Sequence, residues 1–257
     1  MRDDGVRTIR AFLRRLDDGA ASRRLASPLG TVLVNDDYPH SLANNFLRVE
    51  GPRPLLTAPQ LAAEAERALN TAGRSRLQVI IEDEATGARL AEDLRALGWT
   101  VEHDVAMTWE HEPDRPPGVR AEVVSWEAIR PVILRHTEEE PWAVEPEIAR
   151  QVVDRRAAIG RAVPLRVVAA PAGGPYAAHA DLYTDGHTAQ IESVFTLSEA
   201  RNRGLSRAVV LHAAGLARAE GHRLVFLIAD QDDWPRHLYA RLGFEPLFGF
   251  WDCGRDD

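Results

Sequence analysis

The run Arg201-Asn202-Arg203-Gly204-Leu205-Ser206 combines residue types and spacing suited to gripping an anion. It follows a strand-like stretch, 188–196, and opens a helical one, 207–219. The first N–H groups of a helix have no partner inside it and sit at the positive end of its dipole, so a turn of this kind seats a phosphate or pyrophosphate. Gly204 lets the main chain approach such a ligand closely, and Ser206 is too small to obstruct it.

Composition narrows what that anion serves. The chain has 257 residues, 45% of them hydrophobic, enough for one large or two small cores. Net charge is −8, which argues against nucleic acid as the partner, because phosphate-backbone contacts need a basic face. A mild acidic bias suits a cationic or amine substrate. All 31 basic residues are arginine, so neither a Schiff-base lysine nor a P-loop lysine is available. This arginine- and alanine-rich usage suggests a GC-rich bacterial genome. The single cysteine, Cys253, excludes an internal disulfide and a thiol-based metal cluster. No stretch is long and apolar enough to span a bilayer, and the acidic start lacks the apolar run of a signal peptide, so a cytoplasmic, membrane-free protein is expected. His212 and His237 have no partner at metal-ligand spacing, so no metal site is expected.

The elements that must position the loop are repeated. Residues 111–118, rich in proline and charge, read as a linker. On either side lies an apolar run ending in acid, 76–83 and 223–230, each followed by a helical segment closing in leucine-glycine-aromatic: Leu97-Gly98-Trp99 and Leu242-Gly243-Phe244. Val49 precedes Leu77 by the same interval as Thr196 precedes Leu224, with an alanine-rich helix between in both cases, 59–72 and 206–219. The halves differ at the loop. The first has Pro52-Arg53-Pro54-Leu55-Leu56-Thr57, where prolines remove donors and no glycine admits a phosphate, and Leu94 aligns with Tyr239. The expected organisation is 1–110, a half that kept the fold and lost the site; 111–118, a linker; and 119–257, the working half. Residues 6–25 carry Ile9, Phe12, Leu13 and Leu16 at helical spacing, the mark of a packed amphipathic helix or, less simply, one lying on a membrane surface.

The second half reads as strand 119–125, helices 128–139 and 147–159, strands 166–170, 176–183 and 188–196, helix 207–219, strand 224–229, a closing helix and a strand near 247–252. That order, with the arginine-x-x-glycine-x-small loop and a later Tyr239-Ala240-Arg241-Leu242-Gly243-Phe244, resembles the GNAT superfamily of acetyl-CoA-dependent N-acetyltransferases. The likeness covers residues 118–253, and 27–109 as a decayed copy. It implies a mixed α/β fold of two tandem GNAT-like domains, each a mostly antiparallel twisted sheet flanked by helices.

The resemblance also implies roles. Arg201, Asn202, Arg203, Gly204, Leu205, Ser206 and Arg207 would hold the coenzyme A pyrophosphate, chiefly through N–H groups from Asn202 to Arg207. The edge Val194-Phe195-Thr196 would pair with the pantetheine arm as an added strand, in a slot opened by splay from strand 224–229. Asp232 stands where the family often has an arm-binding asparagine. The N–H of Val194, or of its neighbour at a strand bulge, would stabilise the oxyanion, and Tyr239 would serve the departing thiolate as general acid. Glu192, two residues before Val194 and so expected on its face, is either the base or a plain surface or ion-paired glutamate. His179 and Asp181 either line an acceptor pocket or form a solvated pair; the acidic end of helix 128–139 either draws in an amine or is a solvated helix end. The implied reaction moves acetyl from acetyl-CoA, as co-substrate, to a primary amine on a small molecule or peptide, by direct attack in a ternary complex in a monomer or homodimer. A non-catalytic acyl-CoA sensor, a pure interaction module, and a different acyl group or an O-linked acceptor remain open.

Overall fold

The computed structural model describes residues 2–140, 142–143 and 145–255, so the outermost positions of the expected halves, 1, 256 and 257, lie outside it. The first half runs α1 (Arg2–Ala20), β1 (Arg23–Ser27), β2 (Gly30–Val34), β3 (Phe46–Val49), α2 (Ala58–Thr71), β4 (Leu77–Ile81), α3 (Glu84–Ala96) and β5 (Thr100–Trp109). The second runs β6 (Glu122–Val124), α4 (Trp126–Glu138), α5 (Pro146–Asp154), α6 (Arg156–Ala162), β7 (Leu165–Pro171), β8 (Tyr176–Thr184), β9 (Thr188–Thr196), α7 (Leu205–Ala219), β10 (Leu224–Asp230), α8 (Pro235–Arg241) and β11 (Phe244–Arg255).

All eleven strands form one open sheet in the order β1-β2-β3-β4-β11-β5-β10-β9-β8-β7-β6. Pairing is antiparallel except at β3–β4 and β9–β10, so each half has the same local plan. The halves meet by exchanging last strands. β11 lies between β4 and β5, while β5 lies between β11 and β10. Each half therefore completes the other's sheet, and no edge is left at the join. Gly243 shows why the leucine-glycine-aromatic triplet needs glycine: its φ is +96°, and a Cβ there would stand 2.0 Å from the His111 carbonyl oxygen.

Helices cover both faces. On one, α7 buries Ala208, Val209, Ala213 and Ala217 against the even-numbered residues of β7 and β8, and α2 and α3 cover β3, β4 and β11. On the other, α1 inserts Ile9, Phe12, Leu16 and Ala20 beside α6, with Phe12 edge-on to Phe226 at 5.7 Å. The amphipathic stripe of α1 is thus consumed by packing across the join. Among the described residues no helix is long and apolar enough to cross a membrane. The helix expected over 147–159 breaks at Arg155 into α5 and α6, and the break turns Arg156 toward the sheet.

Candidate active site

The loop after β9 is shaped as an anion nest. Asn202 (φ 62°) and Gly204 (φ 79°) are both left-handed, which turns successive N–H groups to one side. Among the described residues, Ala208 is the first residue of α7 whose N–H finds a backbone acceptor, the Gly204 carbonyl at 3.1 Å. Asn202, Arg203 and Gly204 are exposed while Leu205 is buried, so the turn is anchored from below and open above. A Cβ on Gly204 would meet nothing within 4 Å. Thr196 and Ser206 share a hydroxyl hydrogen bond of 2.8 Å, tying the end of β9 to the start of α7. Arg201 Nε donates to the Thr196 carbonyl at 3.4 Å and Arg203 Nη2 to that of Glu199 at 3.2 Å.

Arg207 differs from its neighbours. Its side chain is 4% exposed and turns inward, where Nη1 donates to Asp114 Oδ1 at 2.6 Å and to the Arg115 carbonyl at 2.9 Å. Only its N–H, not its guanidinium, faces the nest. Arg241 also contacts Asp114, at 3.3 Å, so the segment between the halves is strapped across the start of α7 and the end of α8. The equivalent turn in the first half is closed: Gln60 Oε1 accepts the Thr57 N–H at 3.0 Å in a capping box, and Arg53 N–H is taken by Thr86 Oγ1 at 2.9 Å.

Upstream of the nest, β9 carries an irregularity and then parts from β10. Glu192 pairs with Asp181 and Phe195 with His179, so two β9 residues, Ser193 and Val194, stand opposite the single Ala180. This is a β-bulge, with Ser193 at φ 52°. It overturns the expectation that Glu192 and Val194 share a face: the extra residue slips the alternation, and Glu192 shares its face with Phe195. Pairing of β9 with β10 ends at Leu227–Ile191, whereas β10 stays paired with β5 out to Asp230. A wedge therefore opens between β9 and β10 beside the bulge. In the first half, β3 and β4 stay together to their ends, and the Glu82 N–H still reaches the Val49 carbonyl at 3.2 Å.

Glu192 follows Ile191, the last β9 residue paired with β10, and Tyr239 on α8 lies near enough to feel its charge. Burial pushes the Glu192 carboxyl above its ordinary value; the nearby Arg155 opposes this. Gln190 Nε2 donates to Glu192 Oε2 at 3.0 Å. Tyr239 on α8 is 7% exposed, edge-on to Phe244 at 6.3 Å. Burial, and then the Glu192 charge, push its phenol well up, so it holds its proton. Asp232 is exposed on the turn after β10, its N–H donating to Asp230 Oδ1 at 2.8 Å.

The strand exchange assembles acids that sequence reading missed. Cross-strand register puts Asp230 beside Asp104, and Glu102 beside Asp252. Burial, reinforced by Glu102, Asp230 and Glu192, pushes Asp104 up to about 7, and burial with Asp104 and Glu102 does the same for Asp252. Asp17 on α1 also reaches about 7, from burial. An acid whose folded pKa is raised binds protons more tightly folded than unfolded. Its contribution to stability is full below about 4 and is lost as pH rises through about 7. Thermal midpoints should therefore rise by about 3 °C on going from pH 8 to roughly pH 6.5. Below that, His136, pushed down to about 4 by burial, and His179, pushed well down by burial, oppose the trend. Asp104→Asn should raise the midpoint at the alkaline end and flatten the profile; calorimetry showing a midpoint that falls over this range would contradict it.

His179 and Asp181 are not a solvated pair: they are 1% and 0% exposed. Arg156 Nε donates to Asp181 Oδ2 at 2.6 Å, and the Tyr183 hydroxyl to the same oxygen at 3.3 Å. Arg156 was not legible as a site residue, since nothing in the arginine-rich stretch 155–161 singles it out. His136, at the acidic end of α4, stacks on Phe195, so that end is joined to β9 as well as solvated. Phe195 thus presents its ring to α4. Among the described residues no group of three or more His, Cys, Asp or Glu is placed to hold a metal ion, and Cys253 is buried.

An open, mostly antiparallel sheet thus parts beside a bulge, and N–H groups without backbone acceptors stand at the head of the next helix. Residues 107–244 match the acetyltransferase (GNAT) family, and the chain belongs to that family. The family draws on acyl-CoA as co-substrate for acyl transfer. Several solved structures share the fold over nearly the whole length. A functionally unknown conserved protein from Staphylococcus epidermidis aligns with a TM-score of 0.67 at 16% identity, over 93% of this chain and 94% of its own. A GCN5-related N-acetyltransferase from Kribbella flavida aligns with a TM-score of 0.62 at 20% identity, over 98% and 96%. A tandem GNAT protein from the clavulanic acid biosynthesis pathway gives 0.52 at 18%, over 98% and 94%. No curated protein matches the chain.

Proposed function

We propose that the protein is an acetyl-CoA-dependent N-acetyltransferase that acetylates a primary amine by direct attack in a ternary complex, with residues 119–257 as the catalytic half. The observation that carries this reading is the wedge between β9 and β10, which has the open nest at one end and Glu192 where the pairing stops, with Tyr239 near enough to feel its charge. The N–H groups from Asn202 to Arg207 hold the pyrophosphate, and the edge of Val194, Phe195 and Thr196 receives the arm. The amine nitrogen forms the new C–N bond as the C–S bond breaks. Glu192, with its raised affinity for a proton, takes the one the amine must lose. An N–H at the Ser193–Val194 bulge meets the charge that develops on the thioester oxygen. Because its phenol is pushed up, Tyr239 acts on the leaving sulfur as a hydrogen-bond donor that yields its proton late. The acids Asp104, Glu102 and Asp230 on the neighbouring strands favour an acceptor carrying positive charge. The first half, 1–110, supplies a wall of that surface through β5.

Thiol release from acetyl-CoA, measured across amines, amino sugars and peptides, tests the reading. Tyr239→Phe should lower kcat about tenfold with the acetyl-CoA Kd unchanged. Gly204→Ala should weaken acetyl-CoA about tenfold, since it places a Cβ where the phosphate must approach and strains a left-handed residue. Acetyl-CoA binding without thiol release to any amine would replace the enzyme with a sensor.

A further inference from the structure

A cavity of about 350 Å³ lies beneath α1, between that helix and β3, β4 and β11. Neither the nest, Glu192 nor Tyr239 lines it. Its wall is largely apolar and includes Phe46, Phe248 and Phe250, the last two with ring centroids 6.4 Å apart. Two guanidinium groups reach it with hydrogen-bonding capacity unspent. Arg48 is 5% exposed; it donates Nε to Glu50 at 3.3 Å and Nη2 to Asp18 at 3.0 Å, but buried Nη1 has no hydrogen-bond acceptor, Asp17 standing 3.6 Å away. Arg10 donates Nη2 to the Glu82 carbonyl at 3.0 Å and lies over the Phe248 ring, 5.1 Å from its centroid, while its buried Nε has no partner.

The surplus in this cavity is therefore of donors on cations. Of its three carboxylates, Glu82 is engaged by Arg14, whose Nε donates to it at 2.8 Å, Asp252 accepts from Gln78 Nε2, and burial holds both Asp252 and Asp17 up to about 7. Buried donors left without acceptors are costly, and the group that best satisfies a guanidinium is a carboxylate. The apolar remainder suits a ring-sized body, and the volume leaves room for one ring with a short chain. We infer that this cavity is a second ligand site, for a small aromatic monocarboxylate whose acid group bonds Arg48 Nη1 and Arg10 Nε and whose ring packs on Phe248 and Phe250. The inference does not rest on the proposed acetyl transfer.

Titration calorimetry on the full chain, with phenylacetate as probe and phenylacetamide as its neutral control, decides it. The acid should bind with one-to-one stoichiometry at least about tenfold more tightly than the amide, the difference of a charge-assisted pair of hydrogen bonds. Arg10→Gln should remove about that tenfold, and Leu13→Trp, which fills the cavity from α1, should abolish binding. Both variants should retain wild-type acetyl-CoA affinity, which reports that they are folded and that the other half is intact. Equal affinity for acid and amide, no phenylacetate heat at millimolar concentration, or binding that survives Leu13→Trp in the folded variant would each overturn the site.

Discussion

Replacing Glu192 with glutamine is expected to lower kcat for acetyl transfer by about 10²–10³-fold near neutral pH, with the acetyl-CoA Kd unchanged. An alkylamine with a pKa near 10 is neutral in only roughly one molecule per thousand at that pH, so a group that accepts its proton at the site sets the rate. Glu192 has the properties required: it follows the last β9 residue paired with β10, it is half-buried, and burial raises its proton affinity. The sign of the pH effect separates a base from a structural acid. Wild-type activity should fall as pH drops through the raised Glu192 pKa, because the base is lost. The glutamine variant should recover with rising pH, because the amine then deprotonates in solution. A loss below about threefold, or one that is the same at every pH, would assign the proton to another group. Asp104, two strands away and at about 7, is the obvious competitor, and Asp104→Asn run in parallel distinguishes them.

What the sequence made legible was whatever is encoded locally. The nest needs Gly204 and a helix start next to each other in the chain, and both the turn and the contrast with the proline-bearing turn of the first half stand in the structure. The repeat was visible because β3, α2 and β4 keep the spacing of β9, α7 and β10. The rest depends on partners far away in sequence. That β11 and β5 change places is invisible to periodicity, since each strand looks the same whichever neighbour it pairs with; yet this exchange brings Asp104 beside Asp230. The Ser193–Val194 bulge shifts Val194 out of phase with Glu192, because alternation holds only in an unbroken strand. Arg207, legible as part of the loop, spends its side chain on Asp114, a residue of the connecting segment. Asp181, read as one of two polar residues on a face, required α6 to break away at Arg155 before its partner was evident.

That last contact should be the most expensive single one to remove. Arg156→Met is expected to destabilise the protein by about 3–5 kcal/mol, because it leaves a buried carboxylate without its counter-charge. Asp181 is fully buried, its second oxygen has no hydrogen-bond partner, and Tyr183 offers only a long hydrogen bond at 3.3 Å to the oxygen Arg156 already holds. Arg156 also lies over the Trp126 ring at 5.9 Å, joining α4 to α6. Urea denaturation should show the loss as a lower midpoint with an unchanged slope, and the thermal midpoint should fall by about 10 °C. Arg156→Met combined with Asp181→Leu should regain most of it, since an apolar pair of similar volume needs no charge balance. A cost below about 1 kcal/mol would mean that Asp181 takes up a proton or water instead. The pair also bears on chemistry. Asp181 is the cross-strand neighbour of Glu192, and Arg156 draws the Glu192 carboxyl down against burial. In the single variant the acid limb of the activity profile should accordingly move to higher pH, an effect that loss of stability alone does not produce.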